Sequence, residues 1–85
     1  MKKKCVAIFD DDEDILFITQ YILEDAGWEV RTYTNVDRVV QKVSDARPDV
    51  IVMDNWIPLI GGIEATREIK SSDFSNIPVV YFTAN

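Results

Sequence analysis

Three short apolar runs in the sequence each end at a small polar side chain. Val6-Ala7-Ile8-Phe9 runs into Asp10-Asp11, Val50-Ile51-Val52-Met53 into Asp54, and Val79-Val80-Tyr81-Phe82 into Thr83. Runs this short, apolar throughout and rich in β-branched residues, read as strands buried on both faces of a parallel sheet. In a parallel sheet their carboxyl ends lie along one edge. Two acids from one strand, one from another and a hydroxyl from a third then converge on the crevice where open α/β sheets bind ligands.

The segments between these runs are helical. Asp12-Glu13-Asp14 precedes Ile15, Leu16, Ile18, Ile22, Leu23 and Ala26 at helical spacing, with acids in the first turn and Gly27 as the stop. Trp28 to Tyr33 reads as a further strand, with Trp28, Val30 and Thr32 on one face. Thr34 or Asn35 is placed to cap a helix from Val36 to Ala46, with Val36, Val39, Val40 and Val43 as its apolar stripe. Pro48 ends it and leads into a strand over Asp49 to Met53. The segment from Asn55 to Gly62 is a loop, a third helix starts at Gly62 or Ile63 and ends near Lys70, and Ile77 to Phe82 is the fourth strand. The order βαβαβαβ with short links implies a parallel sheet with right-handed crossovers.

The 85 residues suffice for one small domain, and 47% apolar content supports a core. A net charge of −6 argues against nucleic acid, whose binding needs a basic footprint, and favours a bound cation. The chain has no histidine, which excludes imidazole catalysis and most zinc sites. The lone Cys5 opens a buried strand and reads as a small hydrophobe in a reducing compartment. Lys2-Lys3-Lys4 begins like a signal peptide, but the apolar stretch behind it is too short, and no run is long enough for a membrane span. The expectation is a cytoplasmic protein that binds neither nucleic acid nor membrane through this chain.

Asp10, Asp11 and Asp54 would stand within a few ångströms of one another, where like charges destabilise the fold unless a cation joins them. All-oxygen ligation with water filling the remaining positions suits Mg²⁺ or Mn²⁺. Such a metal neutralises phosphoryl oxygens during in-line transfer. Asp54, at a strand end facing a loop, is the candidate nucleophile, and Thr83 the hydroxyl donor to a phosphoryl oxygen. Each residue also has a plainer reading: Asp10 to Asp14 as a helix-starting acidic turn, Asp54 as a strand-end turn residue. An EF-hand is excluded, because Ile15 stands where its glycine belongs and Tyr21 where its bidentate glutamate belongs. Asp10-x-Asp12 also resembles the opening of haloacid-dehalogenase-type phosphatases, in which Asp10 would be the nucleophile.

Ile8-Phe9-Asp10-Asp11-Asp12-Glu13-Asp14-Ile15-Leu16 resembles the opening of a response-regulator receiver domain. Asp49 to Asp54 followed by Pro58 and Gly62 resembles that family's phosphorylation segment, and Pro78 to Ala84 its fourth strand with the switch hydroxyl. The resemblance covers the whole chain. It implies a flavodoxin-like sheet in the order 2-1-3-4, with residues 1–85 forming the N-terminal portion of a receiver. It further implies that Asp54 accepts a phosphoryl group from a sensor histidine kinase or phosphotransfer protein. Asp11 would ligate Mg²⁺ directly, Asp10 would act closely or through water, and the backbone carbonyl of Trp56 would add a ligand. Thr83 would be the switch, and Trp56 and Asn85 would tune how long the phosphate lasts. Set against the family, the fifth strand, the last two helices, the phosphate-binding lysine and the switch aromatic are absent, so phosphotransfer is expected to be impaired. A bare fourth-strand edge is expected to pair with a second copy, or elements to exchange between copies. A non-catalytic dimerising fragment, or a phosphatase fragment using Asp10, are the competing readings.

Overall fold

A computed structural model of the chain describes residues 3–54 and 61–82. β1 (Cys5–Phe9), α1 (Glu13–Asp25), β2 (Glu29–Tyr33), α2 (Val39–Ala46), β3 (Val50–Asp54), α3 (Gly62–Lys70) and β4 (Val79–Phe82) follow one another in the chain. All three strand pairings are parallel, and the sheet order is β2-β1-β3-β4. This is the flavodoxin-like order expected from the sequence. It puts β1 and β3 side by side in the middle, with Phe9 in register with Met53, so the acids that follow each strand emerge next to each other.

Strand alternation divides the core in two. On one face Ala7, Phe9, Ile51 and Met53 pack with Val36, with Val39 and Val43 of α2, and with Ala65 and Ile69 of α3. On the other, Val6, Ile8 and Val30 pack with Leu16 of α1. β1 is buried along its whole length, as its unbroken apolar sequence requires. Phe9 stacks on Tyr33 with ring centroids 4.8 Å apart, which fastens β2 to β1 next to the acids.

The caps explain where the first helix lies. The Asp12 carboxylate accepts from the backbone N–H groups of Asp14 at 2.9 Å and Ile15 at 3.3 Å. At the other end Gly27 has φ +99°, its N–H donates to the Glu24 carbonyl, and Trp28 N–H donates to the Leu23 carbonyl. That is a Schellman closure, which needs the left-handed residue that glycine supplies.

Several local expectations are corrected. The second helix starts at Val39, not Val36. The Asn35 side chain accepts from Asp37 N–H at 3.0 Å and from Lys42 Nζ at 2.6 Å, closing a turn of its own, and Arg38 at φ 51° breaks the helical path. Val36 is nonetheless buried, so the stripe was right and the helix boundary was not. The same helix ends at Ala46, as expected, with Arg47 at φ 48° capping it before Pro48. β2, β3 and β4 each begin one or two residues later than expected.

The larger correction concerns burial. The apolar run of β4 implies burial on both faces, yet Val80, Tyr81 and Phe82 are all exposed in this edge strand. Of the α1 stripe, Leu16 is buried and Leu23 packs against it, but Ile18 and Ile22 are 54% and 59% exposed. Phe17 and Gln20 line a shallow cleft with Thr32 and Thr34 on the β2 side. The flank carrying Ile15, Ile18 and Ile22 is therefore the one away from β2. Val80 is in register with Val52, on the α1 face of the sheet. Ile18, Ile22, Val80 and Phe82 thus belong to one uncovered apolar side.

Candidate acidic cation site

Asp10 and Asp54 reach the same edge because the strands before them are adjacent and parallel. Asp10 extends β1, its N–H donating to the Tyr33 carbonyl at 3.0 Å, and Asp54 is the last residue of β3. Both carboxyl-bearing residues are buried, at 4% and 8% exposure, while Asp11 faces solvent. One carboxylate oxygen from each of Asp10, Asp11 and Asp54 lies within 4.8 Å of the others. The convergence expected from three strand ends is present for these acids. The expectations at Trp56, Pro58, Thr83 and Asn85 lie outside the described residues.

The acidic run divides its work by position. Asp12 caps α1 through its carboxylate, and its N–H donates to Asp10 Oδ1 at 2.9 Å. Asp10 and Asp11 join Asp54. The plain reading of the run holds for Asp12, and Asp10 and Asp11 stand where the cation-binding reading needs them.

Burial pushes the Asp10 carboxyl above the ordinary carboxylate value. The Asp12 N–H opposes that rise, while the charge of Asp54, a hydrogen bond with its side chain and the charge of Asp11 add to it. Two buried carboxylates with a third beside them are a like-charge cluster that a hard cation relieves. The donor set is all oxygen, with room for water on the Asp11 side, which fits Mg²⁺ or Mn²⁺ and not a thiophilic metal.

A second cavity of about 400 Å³ opens at the opposite end of the sheet. Its lining mixes Lys3, Lys4 and Arg47 with Glu29, Asp45 and Asp49, so no single chemistry converges there. It lies at the amino ends of the strands, away from the edge where such sheets bind ligands.

Gly62 opens α3, one of the two starts expected, but its contact was not foreseen: it is packed directly on the Asp54 backbone. The adjacent pair Gly61-Gly62 was the available signal, since a turn needs only one of them.

A parallel sheet in the order β2-β1-β3-β4 with acids at its central strand ends defines a flavodoxin-like domain with an acidic cluster. The chain belongs to the response regulator receiver domain family, whose model matches residues 6–85. It is 32% identical over 84 residues to the alkaline phosphatase synthesis transcriptional regulatory protein PhoP of Bacillus subtilis, covering 99% of this chain and 34% of that protein. It is likewise 32% identical over 82 residues to the CAI-1 autoinducer sensor kinase/phosphatase CqsS of Vibrio cholerae, covering 94% of this chain and 12% of the other. Among solved structures it resembles the chemotaxis protein CheY4 of Vibrio cholerae, with a TM-score of 0.86 and 28% identity, covering 94% of this chain and 68% of that one. The chain spans about a third of the first of these curated relatives and about two thirds of the solved receiver. These matches group it with the receivers of two-component signalling and not with the haloacid-dehalogenase-type phosphatases. Among the described residues, no helix is long and apolar enough to cross a membrane.

Proposed function

We propose that the chain accepts a phosphoryl group on Asp54 from the phosphohistidine of a sensor histidine kinase or phosphotransfer protein in the cytoplasm. The supporting observation is the cluster itself, three carboxylates from two neighbouring strand ends with oxygens within 4.8 Å. Asp10, Asp11 and Asp54, with the backbone carbonyl of Trp56, are the residues that would hold Mg²⁺. When bound, the ion supplies positive charge against the carboxylates and the phosphoryl oxygens.

The chain's own residues do the rest. An Asp54 carboxylate oxygen attacks phosphorus as the phosphorus–nitrogen bond to the donor imidazole breaks, and that electron pair returns to the ring nitrogen. The product is an acyl phosphate. Thr83 donates its hydroxyl to a phosphoryl oxygen and so reports the modified state. Water attack on phosphorus later releases inorganic phosphate and restores the carboxylate, with Trp56 and Asn85 setting the access. Residues 1–85 act here as the N-terminal portion of a receiver, a signalling domain whose only chemistry is on itself. No lysine of this chain matches the family's phosphate-binding one, so transfer is slow in the 85-residue polypeptide alone.

A second copy is the other partner we assign. β4 is an edge strand with no charged residue along it. Ile18, Ile22, Val80 and Phe82, each more than a third exposed, give such a pair an apolar surface to bury.

The phosphorylation reading is tested with acetyl phosphate and Mg²⁺, trapping by borohydride and mapping by mass. Label on Asp54 is the expected result. Label on Asp10 supports a dehalogenase-type nucleophile, and no label in folded protein supports an interaction fragment without chemistry.

A further inference from the structure

Helix α3 starts in contact with the residue that ends β3. A Cβ placed on Gly62 would overlap the carbonyl oxygen of Asp54 and stand 2.9 Å from both the Asp54 carbonyl carbon and Cγ of Met53. The obstruction is backbone, and it belongs to a strand held between β1 and β4, so it cannot step aside without disturbing two ladders. Gly62 is not among the glycines with positive φ, which are Gly27 and Gly61. What glycine provides at 62 is clearance, the close approach of one backbone to another.

The same turn is tied from inside the helix. Thr66, buried at 9% exposure, donates its hydroxyl to the Gly62 carbonyl at 2.8 Å. A buried hydroxyl needs a partner, and this one spends its hydrogen bond on holding the first turn of α3 together. Ala65 and Ile69, on the same buried face, seat the helix on the sheet core.

We propose that Gly62 and Thr66 are a positioning pair for the Asp54 carboxylate. The α3 turn rests on the Asp54 peptide and fixes the plane from which its side chain is aimed at Asp10 and Asp11. Catalytic groups must be held to within about half an ångström, and a displacement near 1 Å costs about a hundredfold in rate. Adding one methyl at Gly62 demands a shift on that scale. The inference rests on Asp54 being the phospho-acceptor.

The test compares Gly62→Ala, Thr66→Val and Thr66→Ser with wild type. Mg²⁺ affinity is read by calorimetry, acyl-phosphate formation with acetyl phosphate, and stability by urea denaturation. Ile63→Ala, at an exposed neighbouring position, is the control. Folded Gly62→Ala is expected to bind Mg²⁺ about tenfold more weakly and to accept phosphate more slowly by at least that factor. Thr66→Val should lose about threefold to tenfold in affinity, and Thr66→Ser, which keeps the hydroxyl, should regain it. Wild-type affinity in folded Gly62→Ala, or Val and Ser variants at 66 that behave alike, overturns the proposal. If Gly62→Ala does not fold, the pair at Thr66 decides. Wild-type protein that neither binds Mg²⁺ nor takes label overturns the proposed function and this inference together. Wild-type protein that does both, beside unaffected variants, overturns the inference alone.

Discussion

Replacing Asp12 by alanine separates two jobs that the acidic run performs side by side. The Asp12 carboxylate accepts from two backbone N–H groups, at 2.9 and 3.3 Å, which are among the donors a helix start leaves without partners. The shorter bond is of ordinary strength and the longer one weak, so the loss is that of a typical N-cap, about 1 kcal/mol. For a domain of this length, 1 kcal/mol lowers the melting temperature by roughly 4–8 °C. The bond that orients Asp10 survives, because Asp12 supplies its backbone N–H to Asp10 Oδ1 and alanine has the same N–H. Asp12 is also absent from the group of oxygens that could surround a cation. Thermal denaturation by circular dichroism should therefore show the full drop, and Mg²⁺ titration of the same protein nearly unchanged affinity. Asp11→Ala should do the reverse, abolishing tight Mg²⁺ binding with no comparable loss of metal-free stability. An Asp12→Ala protein that melts like wild type, or that loses Mg²⁺ as completely as Asp11→Ala does, would refute this division of labour.

Two further outcomes follow from the site and the edge. The Asp10 carboxyl is raised above 3.8 in the fold, chiefly by burial, so the folded state takes up a proton before the unfolded chain does. Without metal, stability therefore rises as pH falls from neutral through the folded Asp10 value toward 3.8; urea denaturation across that window should show the rise in wild type and its absence in Asp10→Asn. Sedimentation at low micromolar concentration should find a dimer, with Val80→Lys or Tyr81→Pro giving monomer; a cooperative wild-type monomer with sharp native spectra would dispose of the edge-pairing proposal.

The order of elements and the meeting of Asp10, Asp11 and Asp54 were legible because β1 and β3 are apolar up to the acids at their ends, the pattern of neighbouring parallel strands buried on both faces. The α1 boundaries were legible because Asp12 and Gly27 satisfy helix ends through local bonds. The start of α2 was not. Its apolar spacing continues back to Val36, and the choice of a turn over a helix depends on where one Asn35 amide and one Lys42 ammonium point. The exposure of β4 and of Ile18 and Ile22 was illegible for another reason. An apolar residue states that it should be covered, not by what, and an exposed one carries the same letter as a buried one. The contact of Gly62 with Asp54 was hidden because clearance between two backbones depends on a distance across the fold, which spacing along the chain does not record.

One tether at the far end of the sheet bears on all of this. Cys5 N–H donates to the Asp49 carboxylate at 2.7 Å, and Asp49 N–H donates to the Cys5 carbonyl at 2.7 Å. β1 and β3 are therefore stitched together where they begin, by a pair of bonds that asks nothing of any ligand. Where they end, the same two strands present acids that repel each other. A cation held there would offset that repulsion and stabilise the fold by mass action. The Cys5–Asp49 stitch leaves that effect to the other end of the two strands, where the acids stand.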